Sequence, residues 1–443
     1  MSRAGIFLIV FILLFCAVGC GRRQAPAPTP SPIPTTGATR SPSPSPAPVA
    51  TPTPSPTPDP VEIKANFIDS ILDDMTVEEM VGQLFIAACR RDAAGDAVFT
   101  AAQGFRDLIG SYRLGGVILF TENIDTIDQT ATLIAGMQAM SSIPLFVSVD
   151  EEGGRVSRVG ANESMNATAF PPMADVGAAG DPGLARSVGR VMGEELYALG
   201  FNMDFAPVAD VFTNPQNTVI GDRAFSGDPQ AAGEMVSAYV AGMQSAGVAA
   251  VIKHFPGHGD TTADTHAGTV SVPHDLARLR EVEFVPFRAG IGAGCMGVMS
   301  AHIEVPHVTG DDTPSTLSHR ILTDILRGEL GFSGLIVTDA LEMQAIAGVY
   351  GSGDACVGAF MAGADLLLMP LSMEEGYQGV LSAVQDGAIG EDRLTDSVRR
   401  ILSVKYDLGL FSDTPRPDPH AVLGSEEHLA VARAVADAAK AAR

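Results

Sequence analysis

Eight short apolar runs, separated by longer segments, restrict the folds open to this chain more than any other feature. Each run is apolar throughout instead of alternating, which is the pattern of parallel strands buried on both faces. The segments between them carry apolar residues at helical spacing. The runs span 84–88, 116–120, 145–150, 203–208, 250–254, 297–302, 335–339 and 365–369, and the clearest helical segments span 184–199, 231–246, 317–330 and 378–384.

Strands that alternate with helices over about 350 residues predict an α/β fold, a (β/α)8 barrel with insertions. A doubly wound parallel sheet is the alternative that the same pattern allows. The barrel makes the sharper prediction, because polar residues at the carboxyl ends of its strands converge on one face. The polar residues at such ends are Asp150, Asp210, Lys253, His254, His302 and Asp339.

The first 60 residues stand apart from this pattern. Residues 1–20 carry one Arg, an apolar run from Ile6 to Val18 and then Gly19-Cys20. This order is typical of a bacterial lipoprotein signal, and cleavage makes Cys20 the lipidated first residue. An uncleaved anchor and a plain secretory signal are the alternatives. Residues 21–60 are rich in Pro, Ser and Thr, so we expect a disordered, extended tether. The expected location is extracytoplasmic, with lipid anchoring to the bacterial membrane.

The net charge restricts the binding partners of this chain, and the cysteine content restricts its disulfides. A net charge of −24 argues against nucleic acid and anionic membrane surfaces, so membrane contact is expected only through the lipid. Cys89, Cys295 and Cys356 are far apart in apolar surroundings, and we expect buried thiols rather than disulfides. We expect a monomer that needs no cofactor.

The densest group of ionisable residues follows the fifth apolar run. Residues 253–260 read Lys-His-Phe-Pro-Gly-His-Gly-Asp, and Asp264-Thr265-His266 come shortly after. A strand that ends in a glycine-rich loop with such residues is typical of an active-site edge.

The residues alone leave other interpretations of this group open. His254 and His258 are four positions apart, a spacing that suits zinc on a helix, but the intervening Pro256 and Gly257 interrupt a helix. His254 also fits a core histidine, and Asp339 also fits a helix N-cap.

Five ordered motifs within residues 70–412 resemble those of glycoside hydrolase family 3. The 253–266 motif resembles in particular the subgroup of β-N-acetylglucosaminidases that trim cell-wall fragments. Three positions differ from the usual family pattern: Glu151 stands where Gln is usual, and Thr265 and Thr338 stand where Ser is frequent. The motifs are 75–85 (MTVEEMVGQLF), 149–156 (VDEEGGRV), 219–225 (VIGDRAF), 253–266 and 331–343 (GFSGLIVTDALEM).

The resemblance implies a role for each matching residue. Asp339 matches the nucleophile and His266 the acid/base, a task suited to an imidazole that titrates near neutral pH. Asp264 is implied to orient His266. The residues implied to contact the sugar are Asp150, Arg158, Arg223, Lys253 and His254.

The implied protein is a retaining exo-β-N-acetylglucosaminidase that forms a covalent glycosyl–Asp339 intermediate. Its implied substrates are terminal N-acetylglucosamine units of peptidoglycan fragments or related oligosaccharides. Because a neutral histidine and not a carboxylate would flank the intermediate, phosphate is a further hypothetical acceptor of the sugar. The alternatives are a β-glucosidase or other exo-glycosidase of the family, and a non-catalytic sugar-binding lipoprotein. We expect one barrel over 61–412, without the family's second α/β sandwich domain, and a tail over 413–443 with a helix near 429–442.

Overall fold

The computed structural model of the protein describes residues 59–262, 265 and 268–442. The predicted signal, Cys20 and nearly all of the predicted tether lie outside the described residues, as do Asp264 and His266. Across the described ranges, we find no helix with the length and apolar character needed to cross a membrane.

The strands form a parallel barrel. Eight strands follow one another in the order β10-β1-β2-β3-β4-β5-β7-β9, and a parallel bridge from Val337 to Leu366 joins the last strand to the first. The remaining strands, β6 and β8, pair with each other as a small separate sheet. The ranges are β1 Phe85–Ala88, β2 Gly116–Ile118, β3 Phe146–Val149, β4 Met203–Asp204, β5 Ala249–Phe255, β6 Val270–Ser271, β7 Gly297–Ser300, β8 Ile303–Glu304, β9 Leu335–Thr338 and β10 Leu367–Leu368.

Helices cover the strands on the outside. The first ten α-helices are α1 Pro60–Asp74, α2 Val77–Gln83, α3 Ala101–Gly104, α4 Arg106–Tyr112, α5 Ile127–Gln138, α6 Met173–Ala178, α7 Pro182–Leu199, α8 Pro229–Ser245, α9 Leu276–Glu281 and α10 Phe284–Gly292. The others are α11 Pro306–Thr309, α12 Gln344–Ala347, α13 Ser352–Ala362, α14 Met373–Gln385, α15 Glu391–Asp407, α16 Pro419–Val422 and α17 Glu426–Ala442. A π-helix spans Arg320–Glu329 within the predicted helical segment 317–330, and short 3-10 turns span Thr121–Asn123, Glu163–Met165, Gly221–Arg223 and Ser315–Leu317.

The predicted barrel is therefore confirmed, and each apolar run overlaps one of its strands. The runs form buried strands because helices cover one face and the barrel interior covers the other. Local signals fix the longest helices. Helices α7 and α8 both begin at a Pro preceded by an Asp whose carboxylate caps the first turn, and α7 ends at Gly200 with φ of 114°.

A buried carboxylate joins the barrel to its outer helices at the start of β10. Asp365 accepts a hydrogen bond from the backbone N–H of Ile336 at 2.9 Å and from Ser397 Oγ at 2.6 Å. Arg327 donates to the same carboxylate, and Arg400 does so at 3.2 Å. Because a buried charge needs partners, this network fixes the register of β9, β10 and α15 at the end of the barrel opposite the candidate site.

Helix α15 also carries a buried lysine. Lys405 of α15 is fully buried; its Nζ donates to Gln83 Oε1 at 2.7 Å and lies 5.0 Å from the ring centre of Phe146. Within the described part of the chain, no carboxylate pairs with it. Burial lowers the pKa of Lys405 to about 7.

The cysteines agree with the prediction in two of three cases. Cys295 and Cys356 are buried, and burial raises the pKa of both thiols. Cys89 is only partly buried, because it follows β1 on a loop near the barrel mouth, and the prediction of a buried thiol was wrong there. All three are free.

Candidate active site

A cavity of about 350 Å³ opens at the carboxyl ends of the barrel strands. Charged and apolar side chains both line it. The ends of β3 and β5 and the loop after β4 contribute charged and polar side chains: Asp150, Glu152, Arg158, Arg223, Lys253 and His254. Strands β2, β7, β9 and β10 and the residues that follow them contribute Asp339 and several apolar side chains: Ile118, Phe120, Met299, Met343, Leu368 and Met369.

Lys253 joins two carboxylates of the β3 loop. Its Nζ lies 2.8 Å from Asp150 Oδ1 and 2.5 Å from Glu152 Oε1. Burial alone lowers the pKa of a lysine, but these carboxylates raise the pKa of Lys253 above its ordinary value. Lys253 is therefore a permanent cation, and it holds Asp150 at the cavity surface, where that carboxylate is the more exposed partner.

Arg223 forms a bidentate ion pair with Glu152. Arg223 Nε donates to Glu152 Oε2 at 2.7 Å and Nη2 donates to Oε1 at 2.8 Å. Burial acts to raise the pKa of Glu152, but the charges of Arg223 and Lys253 outweigh it and hold the pKa well below its usual range. Glu152 is thus an ionised anchor that orients two cations toward the cavity.

His254 and His258 share one carboxylate. Asp210, which follows β4, accepts from His254 Nδ1 at 2.7 Å and from the backbone N–H of His258 at 2.7 Å. Since Nδ1 faces a carboxylate, it carries the proton, and His254 Nε2 points toward Arg223 at 3.4 Å. Burial lowers the pKa of His258, so His258 is a neutral ring in the cavity wall.

Asp339 follows β9 directly and lines the cavity. Its backbone N–H donates to the Ser300 carbonyl at 3.1 Å, and its Oδ1 accepts from the backbone N–H of Ala340 at 2.8 Å. Burial acts to raise the pKa of Asp339, but His302, His254 and Lys253 outweigh it and lower the pKa. A carboxylate held ionised in the lining of a cavity is suited to nucleophilic attack.

His302 supports the backbone beside Asp339. His302 Nε2 lies 2.9 Å from the Ala340 carbonyl, which only accepts, so this nitrogen carries a hydrogen. Its Nδ1 lies 2.8 Å from Thr316 Oγ1. The sequence placed His302 at a strand end without a role; in the structure it contacts the backbone beside Asp339 and lowers the pKa of that carboxylate.

Arg155 links two loops of the site. Its Nη2 lies within 3.1 Å of the carbonyl oxygens of residues 218–220, and its Nε lies 3.0 Å from Asp222 Oδ1. These residues lead into Arg223, so Arg155 fastens the loop that presents Arg223 to Glu152.

Thr265 is the one described residue within 263–267. Its carbonyl accepts from the backbone N–H of Ala345 at 3.2 Å, and its Oγ1 lies 3.4 Å from His258 Nε2. Thr265 also lines the cavity. The roles of Asp264 and His266 remain predictions, because both residues lie outside the described ones.

The structure brings together the predicted residues that it describes. Asp150, Arg158, Arg223, Lys253, His254 and Asp339 all line the one cavity. Sequence reasoning missed Glu152, the carboxylate that orients Lys253 and Arg223. Its position two residues after Asp150 was the available signal, and both carboxylates contact Lys253.

Sequence reasoning also missed a charged pair at the cavity wall. The Arg90 guanidinium lies 3.9 Å from the ring centre of Phe120, and its Nη2 lies 3.1 Å from Glu342 Oε1. Arg90 and Glu342 come from the loops after β1 and β9, so only the closed barrel brings them together.

The spacing of His254 and His258 left a zinc site open as an alternative. Across the ranges that the structure describes, no group of three or more His, Cys, Asp or Glu side chains has a metal-binding arrangement. Instead, Asp210 accepts hydrogen bonds from the His254 ring and from the backbone N–H of His258.

Comparisons with known proteins agree with this geometry. The family model described as "Glycosyl hydrolase family 3 N terminal domain" matches residues 76–404. Beta-hexosaminidase A of Pseudoalteromonas piscicida is 35% identical over 372 residues, which are 75% of this chain and 62% of that protein. Beta-hexosaminidase of Stenotrophomonas maltophilia (strain K279a) is 38% identical over 312 residues, 66% of this chain and 91% of that protein.

A solved structure shows the same similarity. The glycoside hydrolase family 3 beta-N-acetylglucosaminidase from Paenibacillus sp. str. FPU-7 superposes with a TM-score of 0.77 at 37% identity. The match covers 82% of this chain and 69% of that one. Of the two beta-hexosaminidases, this chain spans less than two thirds of the Pseudoalteromonas protein (62%) but most of the Stenotrophomonas protein (91%).

Proposed function

This chain belongs to glycosyl hydrolase family 3, and from that membership we propose that it is a retaining exo-β-N-acetylglucosaminidase. The observation that carries the proposal is that Asp339 and a cluster of fixed polar groups line one cavity. Asp150, Lys253 and His254 offer donors and acceptors for sugar hydroxyls, and Asp339 is proposed to face the anomeric carbon of the bound sugar.

The proposed reaction is a double displacement. Asp339 attacks the anomeric carbon as the glycosidic bond breaks, and a proton passes to the departing oxygen. His266, with Asp264 as its partner, is proposed to supply that proton and then to take one from the water that releases the sugar. The lowered pKa of Asp339 supports the first step, because it keeps the carboxylate ionised.

The proposed substrate is a terminal N-acetylglucosamine of peptidoglycan fragments or related oligosaccharides. The names of the relatives, beta-hexosaminidase and beta-N-acetylglucosaminidase, support the acetamido sugar. The apolar side chains in the cavity lining support it too, because the acetamido group carries a methyl group that such side chains can contact.

Two aryl glycosides test the sugar. We expect kcat/KM for p-nitrophenyl N-acetyl-β-glucosaminide to exceed that for the β-glucoside by about a hundredfold, because the glucoside leaves the acetamido contacts unmade. Faster hydrolysis of the glucoside would instead favour the β-glucosidase alternative. Sugar binding without turnover of either compound would favour a non-catalytic protein. Release of N-acetylglucosamine from a muropeptide disaccharide tests the natural substrate.

We propose that the protein acts outside the cytoplasm, attached to the bacterial membrane through lipid on Cys20. The support is the order of charge, apolar run and Gly19-Cys20, followed by the Pro-rich segment. In cells given radioactive palmitate, the full-length protein should be labelled and found with membranes, and a Cys20→Ala variant should carry no label. Equal labelling of the two proteins would contradict this proposal.

A further inference from the structure

Glu151 is a buried carboxylate behind the cavity wall. Only 4% of its surface is exposed, and it lies between two cavity residues, Asp150 and Glu152, without lining the cavity itself. The resemblance to the family left it without a role, and it is a position where this chain departs from the usual Gln.

Both carboxylate oxygens of Glu151 accept hydrogen bonds from one tight turn, residues 157–160. Oε2 accepts from the backbone N–H groups of Arg158 at 2.7 Å and Val159 at 2.8 Å. Oε1 accepts from Ser157 Oγ and from the backbone N–H of Gly160 at 3.2 Å. An acceptor-only group with two oxygens suits four converging donors, whereas an amide would turn its NH2 group toward two of them.

The turn presents Arg158 to the cavity. The Arg158 guanidinium lies 5.9 Å from the ring centre of Phe120 and lines the cavity. Its Nε is buried with no hydrogen-bond partner among the described residues. With so few contacts of its own, the Arg158 side chain depends on its backbone for its position, and Glu151 holds that backbone.

We propose that Glu151 is a positioning residue that acts through Arg158: the carboxylate holds the 157–160 turn, and its protonation loosens the turn and weakens sugar binding. The inference rests on the proposed role of Arg158 as a sugar contact. It adds a pH-sensitive element that the reaction itself does not require.

The surroundings of Glu151 favour protonation at a higher pH than is usual for a glutamate. Burial raises the pKa of Glu151, although its four hydrogen bonds oppose that effect. Asp204 at the end of β4 faces it, with Oδ1 accepting from the Glu151 backbone N–H at 2.9 Å, and Tyr239 of α8 is the other titratable neighbour. Lys253, Asp150 and Glu152 lie beyond them and interact electrostatically with Asp204 or Tyr239.

A double-mutant cycle tests the inference. Glu151→Gln should raise KM about tenfold, the equivalent of one lost charge-assisted hydrogen bond, and should change kcat by less than about twofold. Arg158→Ala should raise KM at least as much. The double variant should be no worse than Arg158→Ala alone, because Glu151 has nothing left to position. As the pH falls, KM should rise in the wild type but stay level in Glu151→Gln.

The control is Glu163→Gln, the same change at an exposed glutamate on the following segment, which should leave KM unaltered. Independent effects of Glu151→Gln and Arg158→Ala, multiplying in the double variant, would overturn the inference, as would a fall in kcat at constant KM. If Glu151→Gln does not fold, Ser157→Ala removes one donor of the turn; an unchanged KM in that variant would also overturn it.

The cycle separates this inference from the proposed function. KM is measured with whichever aryl glycoside the enzyme hydrolyses, so the outcome does not depend on the acetamido group. If neither is hydrolysed, the proposed activity fails. The same cycle is then measured from the dissociation constants of N-acetylglucosamine and glucose by calorimetry, with the same criterion of non-additivity.

Discussion

An Asp339→Asn variant should lose at least about a thousandfold in kcat/KM toward the preferred aryl glycoside, with its fold intact. Asparagine has the size of aspartate and keeps an oxygen to accept from the Ala340 N–H. It lacks the charge that attacks the anomeric carbon and stabilises the oxocarbenium-like transition state. The loss should therefore appear in kcat rather than in thermal stability.

The matched control is Asp386→Asn, at an exposed aspartate that follows α14 away from the cavity, and it should retain full activity. A second variant, Asp339→Ala, tests the face of attack. It leaves room for azide, which can attack the anomeric carbon from the side of the missing carboxylate and form an α-glycosyl azide. Near-normal hydrolysis by Asp339→Asn would contradict the assignment of the nucleophile.

The barrel could be predicted because its physical cause is local. A parallel strand buried on both faces needs an unbroken apolar run, and such runs are visible one at a time, as in residues 145–150 and 335–339. The prediction that strand-end residues converge, such as Lys253 and Asp339, follows from barrel geometry alone. The short pair β6 and β8 was not predicted, because two residues carry no period.

The division of labour within the site could not be predicted in the same way. Asp150, Glu151 and Glu152 are consecutive acidic residues, yet the fold gives each a different environment. Asp150 faces the cavity, Glu151 holds the 157–160 turn, and Glu152 pairs with two cations. Their partners lie between six and about a hundred residues away along the chain, so no local pattern identifies them.

Replacing Lys405 with Met should change the stability of the protein in a pH-dependent way. A lysine in the unfolded chain has a pKa of about 10.4, whereas burial lowers the pKa of Lys405 to about 7 in the folded state. Between these values the unfolded state binds one more proton, so wild-type stability rises with pH by about 1.4 kcal/mol per unit. The Lys405→Met variant lacks this pH-dependent contribution to stability.

The sign of the effect follows from two opposing terms. Below about pH 7 the wild type carries the full cost of the shift, about 4 to 5 kcal/mol, and at pH 9 it carries about 2 kcal/mol. Methionine removes that cost but leaves Gln83 Oε1 without its donor, which costs about 1 to 3 kcal/mol. The variant should thus melt above the wild type at pH 6 and close to it at pH 9.

Thermal denaturation of both proteins at pH 6 and pH 9 measures this difference directly. The control is Lys440→Met, at an exposed lysine near the end of α17, which should shift the melting temperature little and equally at both pH values. A stabilisation by Lys405→Met that is the same at pH 6 and 9 would mean that better packing, and not the missing proton, is its cause. A variant less stable than the wild type at pH 6 would show that the folded protein stabilises the Lys405 cation well, against the burial and the single Gln83 contact described above.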